Sequence, residues 1–181
     1  MIHTIEDAYA FVREVKICTI FAQKTAHASL WDHIDLPDRQ RGDKGWGQKV
    51  SAVWRWKNEL PALYPDEIFY GKIRGGHAVL MEMTYLRDEH FPTAYQPVET
   101  LSRLAQVTYE HVRLEPGETG PLRNLVLSEY EATKSQFDTA LKELQISLNV
   151  VRSNGPHVKR DTWVTFAELY PEIWDLHITE D

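Results

Sequence analysis

Residues 135–166 read SQFDTALKELQISLNVVRSNGPHVKRDTWVTF, and this stretch decides the fold of the C-terminal half. Ser135 can cap a helix with Asp138 in the box position, and Phe137, Ala140, Leu141, Leu144 and Leu148 recur at helical spacing as its apolar stripe. Val150 to Ser153 and Thr162 to Phe166 flank the turn Asn154-Gly155-Pro156, which predicts a hairpin. Upstream, GPLRNLVL at 120–127 predicts a short helix. Before it, Leu101, Leu104, Ala105, Thr108 and Val112 share one face of a helix that Pro116 and Gly117 end. From residue 98 the order is therefore helix, helix, helix, hairpin, the order of a winged helix. Such a scaffold does not specify an activity.

Toward the N-terminus, Thr4 and Asp7 form a capping-box start for a helix through Ile5, Ala8, Phe11, Val12 and Val15, which leads into the buried apolar run Ile17 to Phe21. Pro37, Gly42, Gly45 and Gly47 mark residues 35–47 as a loop, followed by a helix over 48–59, QKVSAVWRWKNE, that ends near Pro61. IFYGKI at 68–73 and HAVLMEM at 77–83 read as a hairpin around Arg74, Gly75 and Gly76. Pro92 and Pro97 break the pattern, so a junction is expected at residues 88–97. It separates an N-terminal α+β region at 1–96, helical with a β-hairpin, from a winged-helix domain at 97–181.

The 181 residues carry 20 Lys and Arg against 27 Asp and Glu with 43% hydrophobic residues, a balance that excludes disordered and fibrous chains. No apolar run reaches the roughly 18 residues of a spanning helix, and no signal core follows the N-terminus, so a cytoplasmic protein without membrane contact is expected. One cysteine, Cys18, excludes an internal disulfide and a cysteine-based zinc site. A net charge of −7 argues against indiscriminate binding to polyanions, but charge is distributed unevenly. After Arg160 the sequence carries only acidic charges, Asp161, Glu168, Glu172, Asp175, Glu180 and Asp181, an acidic tail that repels DNA.

The basic signal lies at residues 39–57, where Arg39, Arg41, Lys44, Lys49, Arg55 and Lys57 face only Asp43, a net charge of +5, with Trp46, Trp54 and Trp56 interleaved. Cations for phosphates beside aromatic faces for bases are what a single-stranded or flipped-out nucleotide requires. Tryptophans in a core with lysines and arginines on a solvated face explain the same pattern. Trp54 and Trp56 lie about 200° apart around a helix, so only one of them faces the core squarely. In the winged helix, the hairpin offers Arg152, His157, Lys159 and Arg160, whereas the helix from Ser135 to Asn149 carries Lys142 against Asp138 and Glu143. The hairpin is the better contact for a DNA backbone. A domain of this type also serves as a protein-interaction or purely structural unit, with a second copy or another protein as partner.

Asp32, His33 and Asp35 before Pro37 fit turn chemistry better than a metal site. Asp88, Glu89 and His90 fit a solvated corner, and His77 and Glu82 fall on opposite faces of one strand. Cys18 in an apolar run fits an inert, buried thiol. No Ser-His-Asp elbow, phosphate-cradling glycine loop or zinc-hydrolase motif occurs, and no cofactor is expected.

The order of elements, with FVREVKICTIF at 11–21, SLWDHI at 29–34, GWGQKVSAVWRWKNELP at 45–61, EIFYGKI at 67–73 and LKELQISLNVVRS at 141–153, resembles the winged-helix DNA glycosylase superfamily of the AlkZ type. That family comprises longer chains with tandem winged-helix units around a β-rich portion, associated with excision of alkylated or crosslinked bases. The resemblance implies a DNA-related role for a shortened relative. Its catalytic signature, Gln-x-Gln or Gln-x-Asp soon after the first helix, is missing. The corresponding stretch reads Ile17-Cys18-Thr19-Ile20-Phe21, and the nearest amide is Gln23, before Lys24 and Thr25. No catalytic residue carries over. Three readings stay open: DNA binding without the family's hydrolytic site, excision in which Asp32, Asp35 or Glu82 replaces the motif, and protein interaction without DNA.

Overall fold

The computed structural model describes residues 1–155 and 159–178 and has an α+β fold. The chain divides into two compact units, Met1–Gly71 with His77–Leu86, and Lys72–Gly76 with Arg87–Asp181.

In the first unit the Thr4 hydroxyl accepts the Asp7 amide at 3.2 Å, and the Asp7 carboxylate accepts the Thr4 amide at 3.1 Å. This reciprocal box starts α1 (Ile5–Val15) as the sequence predicts. Lys16, at φ 69°, turns the chain into β1 (Ile17–Thr19). The apolar run is thus a central strand, with Cys18 opposite Leu80 on one side and paired in parallel with Ala28 on the other. The latter belongs to β2 (Ala28–Ser29), whose two residues are too few to show a period. The Ser29 hydroxyl accepts the Asp32 amide and caps α2 (Leu30–His33), a short helix that the sequence reading missed.

After the loop, α3 runs Gln48–Leu63 and passes the expected stop at Pro61. A proline removes only its own donor, and beyond it the Tyr64 amide still reaches the Leu60 carbonyl at 3.0 Å. The hairpin appears as predicted in β3 (Ile68–Ile73) and β4 (His77–Glu82), with Gly75 and Gly76 at φ 91° and 81°. The sheet order is β2-β1-β4-β3. Ala8 and Val12 of α1 and Val53, Trp56 and Leu60 of α3 join Cys18, Ile68 and Leu80 in its apolar core.

From Met83 the chain stays helical through α4 (Met83–Tyr85), a π turn (Leu86–His90) and α5 (Phe91–Ala94). The expected solvated corner at Asp88, Glu89 and His90 takes the form of that π turn, with Asp88 and Glu89 exposed and His90 half-buried. Pro92 does not break it, because it sits at the start of α5, where an amide donor is dispensable. In the second unit, Ser102 caps α6 (Arg103–Leu114), and β5 (Gly117–Glu118) leads into α7 (Thr119–Glu129) and α8 (Lys134–Ile146). The box of α8 is Thr133 with Gln136, not Ser135 with Asp138, because the same spacing two residues upstream closes both bonds. Buried Leu148, left-handed at φ 59°, ends the helix and turns the Asn149 amide back to the Leu144 carbonyl.

β6 (Val150–Arg152) and β7 (Thr162–Thr165) form the predicted pair, while the turn residues Pro156 and His157 lie outside the described residues. The sheet order is β5-β7-β6, with Gly117 opposite Trp163, and the Trp163 indole donates to the Thr119 hydroxyl at 2.8 Å. Behind it, Ala105, Val112, Val126, Phe137 and Leu144 form a second core. Within the acidic stretch after β7, the described residues include two short helices that the sequence reading did not place, α9 (Phe166–Leu169) and α10 (Pro171–His177). Phe166 and Ile173 are buried while Glu168, Glu172 and Asp175 stay exposed, an amphipathic pattern that a reading of charge alone hides. Among the described residues no helix is long and apolar enough to cross a membrane.

Candidate nucleic-acid interface

The loop before α3 is folded onto itself rather than extended. The Arg39 guanidinium donates to the Asp43 carbonyl at 2.7 and 3.1 Å, and the Gln40 amide donates to the Asp43 carboxylate at 2.9 Å. Gly47 lies so close to Arg39 that a Cβ there would stand 2.7 Å from its backbone nitrogen. Arg39 therefore holds the loop, which presents Arg41, Lys44 and Trp46 to solvent.

Trp46 is 67% exposed and Trp54 of α3 is 43% exposed, and their ring centroids lie 6.0 Å apart. Phe21 follows at 6.1 Å from Trp54 and Trp31 at 5.7 Å from Phe21, so four rings form a continuous line. Two ammonium groups sit on it. Lys49 Nζ is 4.4 Å from the Trp31 ring centroid, and Lys57 Nζ is 4.7 Å from that of Trp54 and 5.3 Å from that of Tyr70. Each such contact contributes about 0.5–2 kcal/mol and fixes a cation beside a flat apolar face. Lys57 as a whole is 7% exposed and donates to the Asn58 side chain at 3.0 Å, whereas Arg55 stays at the surface, 3.5 Å from Glu59.

Trp56, expected among the contact residues, is 2% exposed and packs in the first core, so its faces are occupied by other side chains. Trp54, two residues earlier, takes the surface position instead. Phe21, Trp31 and Tyr70 were not singled out from the sequence, because only the tertiary fold brings the segment after β1, α2 and β3 beside α3.

The hairpin of the second unit is electrostatically different. Arg152 is buried and donates to Asp161 at 2.6 Å, and Arg160 lies 3.6 Å from Glu118. Arg152 is thus held inward by its carboxylate partner, whereas the Arg160 side chain stays 82% exposed despite its contact with Glu118. Lys159 is exposed, and His157 lies outside the described residues.

Of the carboxylates considered as substitutes for the missing motif, Glu82 is engaged in capping a helix, and Asp32 and Asp35 lie at the surface. Asp32 is exposed in the first turn of α2, and Asp35 lies 3.6 Å from His3 at the surface. Glu82 accepts the Tyr85 amide at 3.0 Å, capping α4, and lies 3.8 Å from Lys16. Desolvation raises the Glu82 pKa, but the donors of Thr84 and Tyr85 and the Lys16 charge outweigh it and hold this carboxyl below its ordinary range. His77 is half-buried on β4. Burial pushes the Cys18 thiol up to about 12, so it stays protonated. Among the described residues, no group of three His, Cys, Asp or Glu side chains is arranged to hold a metal ion.

No curated protein and no solved structure matched the chain. Residues 2–162 match the family described as AlkZ related, a span that includes all four rings, both lysines and the strands β5 and β6. The chain belongs to the AlkZ-related family.

Proposed function

We propose that this protein is a DNA-binding relative of base-excision DNA glycosylases that holds an unstacked base against the line Trp31, Phe21, Trp54 and Trp46. The observation that carries this reading is the contiguous set of rings, exposed at Trp46 and Trp54 and half-buried at Phe21 and Trp31, with Lys49 and Lys57 over two of them. Every base has a face that stacks on an aromatic ring, at about 1–3 kcal/mol per base, and the adjacent ammonium groups offset phosphate charge. Membership of the AlkZ-related family supports the DNA glycosylase relation.

The second unit is a winged helix in this reading. Its order helix, strand, helix, helix, strand, strand, with the first short strand at the edge of the hairpin sheet, supports that assignment. Excision by the family's own motif is not part of the proposal, since residues 17–21 contain neither amide nor carboxylate.

Fluorescence anisotropy with a labelled single strand and a labelled duplex, at two salt concentrations, tests the proposal. Binding that weakens steeply with salt is expected, with the Trp46→Ala/Trp54→Ala protein at least about tenfold weaker on the single strand. Absence of binding at low salt, or equal affinity of the variant, overturns it.

A further inference from the structure

The aromatic line already carries cations. The ammonium group of buried Lys57 lies 4.7 Å from the Trp54 centroid and 5.3 Å from that of Tyr70, and it donates to the Asn58 side chain at 3.0 Å. Lys49 takes one face of Trp31 at 4.4 Å. A base can therefore stack only on the ring faces that these lysines leave. The accessible surface is greatest where exposed Trp54 meets exposed Trp46, with centroids 6.0 Å apart.

A base stacked on the opposite face of Trp54 sits roughly 8 Å from Lys57 Nζ, the 4.7 Å to the centroid plus about 3.5 Å of van der Waals contact. Between them lies an aromatic ring and not water, so charge on the base is poorly screened. An uncharged base meets no repulsion there, and its flanking phosphates are attracted. A base with a formal positive charge is repelled by the ammonium group, and the ring quadrupole that would draw it in is already engaged on the other face. The segment 39–57 has a net charge of +5, so the surroundings have the same sign as the two lysines.

We propose that Lys49 and Lys57 make the aromatic line selective for uncharged bases over bases that carry a formal positive charge. The two lysines act as specificity-determining residues, by occupying ring faces and by placing like charge behind the stacked base. The inference rests on the base-stacking reading and names the class of base that the line admits.

The test uses two single-stranded oligonucleotides of one sequence with either 1-methyladenine, cationic at neutral pH, or its uncharged isomer N6-methyladenine at the central position. Their affinities are measured by tryptophan quenching for the wild type, Lys49→Gln, Lys49→Gln/Lys57→Gln and Lys44→Gln. The wild type binds the N6-methyladenine strand at least about fivefold more tightly. That preference shrinks in Lys49→Gln and disappears in the double variant, while both strands bind more weakly through lost phosphate attraction. Lys49 is only half-buried, so the single variant reports the direction even if removal of Lys57 unfolds the double one. Lys44→Gln, changed at an exposed loop lysine, keeps the preference. Equal affinity for the two strands in the wild type, tighter binding of the cationic strand, or an undiminished preference in Lys49→Gln overturns the selectivity and leaves the aromatic face standing. Equal erosion in Lys44→Gln and Lys49→Gln assigns the effect to overall charge and overturns it as well. Absence of quenching by either strand overturns the base-stacking reading and the selectivity with it.

Discussion

The cation-rich segment around α3 and the hairpin β6–β7 carry similar residues, but the first sets its ammonium groups against aromatic rings and the second sets its buried guanidinium against a carboxylate. Around α3 two ammonium groups stand over Trp31 and Trp54, and Arg41 and Lys44 project from a loop that Arg39 stabilises. In the hairpin, Arg152 is buried against Asp161, and Arg160 stays at the surface 3.6 Å from Glu118, as Arg55 of α3 does 3.5 Å from Glu59. A count of basic residues therefore says little about the charge offered to a polyanion. A cation over an aromatic face keeps its full charge, whereas one against a carboxylate is offset by it.

The sharpest way to separate core from interface within α3 is to truncate its two neighbouring tryptophans one at a time. Trp56→Ala should cost about 3–5 kcal/mol of stability in urea unfolding, since a buried ring leaves a cavity in the first core. Trp54→Ala should cost far less and instead weaken single-strand binding. Equal stability loss in both proteins would break the distinction. In the hairpin, Asp161→Asn leaves a buried guanidinium without its charge partner and should cost about 1–3 kcal/mol in the same assay. An unchanged midpoint would mean that Arg152 is solvated rather than neutralised.

A pH series probes a third contact. The Glu82 pKa is depressed in the folded state, so its contribution is present above the unfolded value near 4.5 and is lost as pH falls through the folded value. Glu82→Gln should therefore be less stable than wild type at neutral pH, with the gap closing below about pH 4. A gap that persists in acid would assign the effect to packing. The smallest expected effect is at the loop: Lys44→Ala should leave stability within about 0.5 kcal/mol and lower the salt slope by about 0.9.

Local patterns carried most of the fold into the sequence. The Thr4 and Asp7 box, the Arg74-Gly75-Gly76 turn and the stripe of α8 were legible because each rests on residues within a few positions of one another. The strand character of Ile17–Thr19 was not, because an all-apolar run between two neighbouring strands has no period. Likewise α9 and α10 were hidden, since two buried residues among exposed acids define them. The candidate site was half legible: its cations and two of its rings stand in one segment. Phe21 and Trp31 come from elsewhere, and the pairing of Arg152 with Asp161 depends on the geometry of the hairpin.

The central claim is that Trp46 and Trp54 stack on bases while Trp56 does not. Intrinsic tryptophan fluorescence, followed as a single-stranded oligonucleotide is added at low salt, reports on this directly. The account predicts strong quenching in the wild type, reversed by added salt and lost in the Trp46→Ala/Trp54→Ala protein, whose remaining emission includes buried Trp56. Unquenched wild-type emission, or equal quenching in that variant, would contradict it.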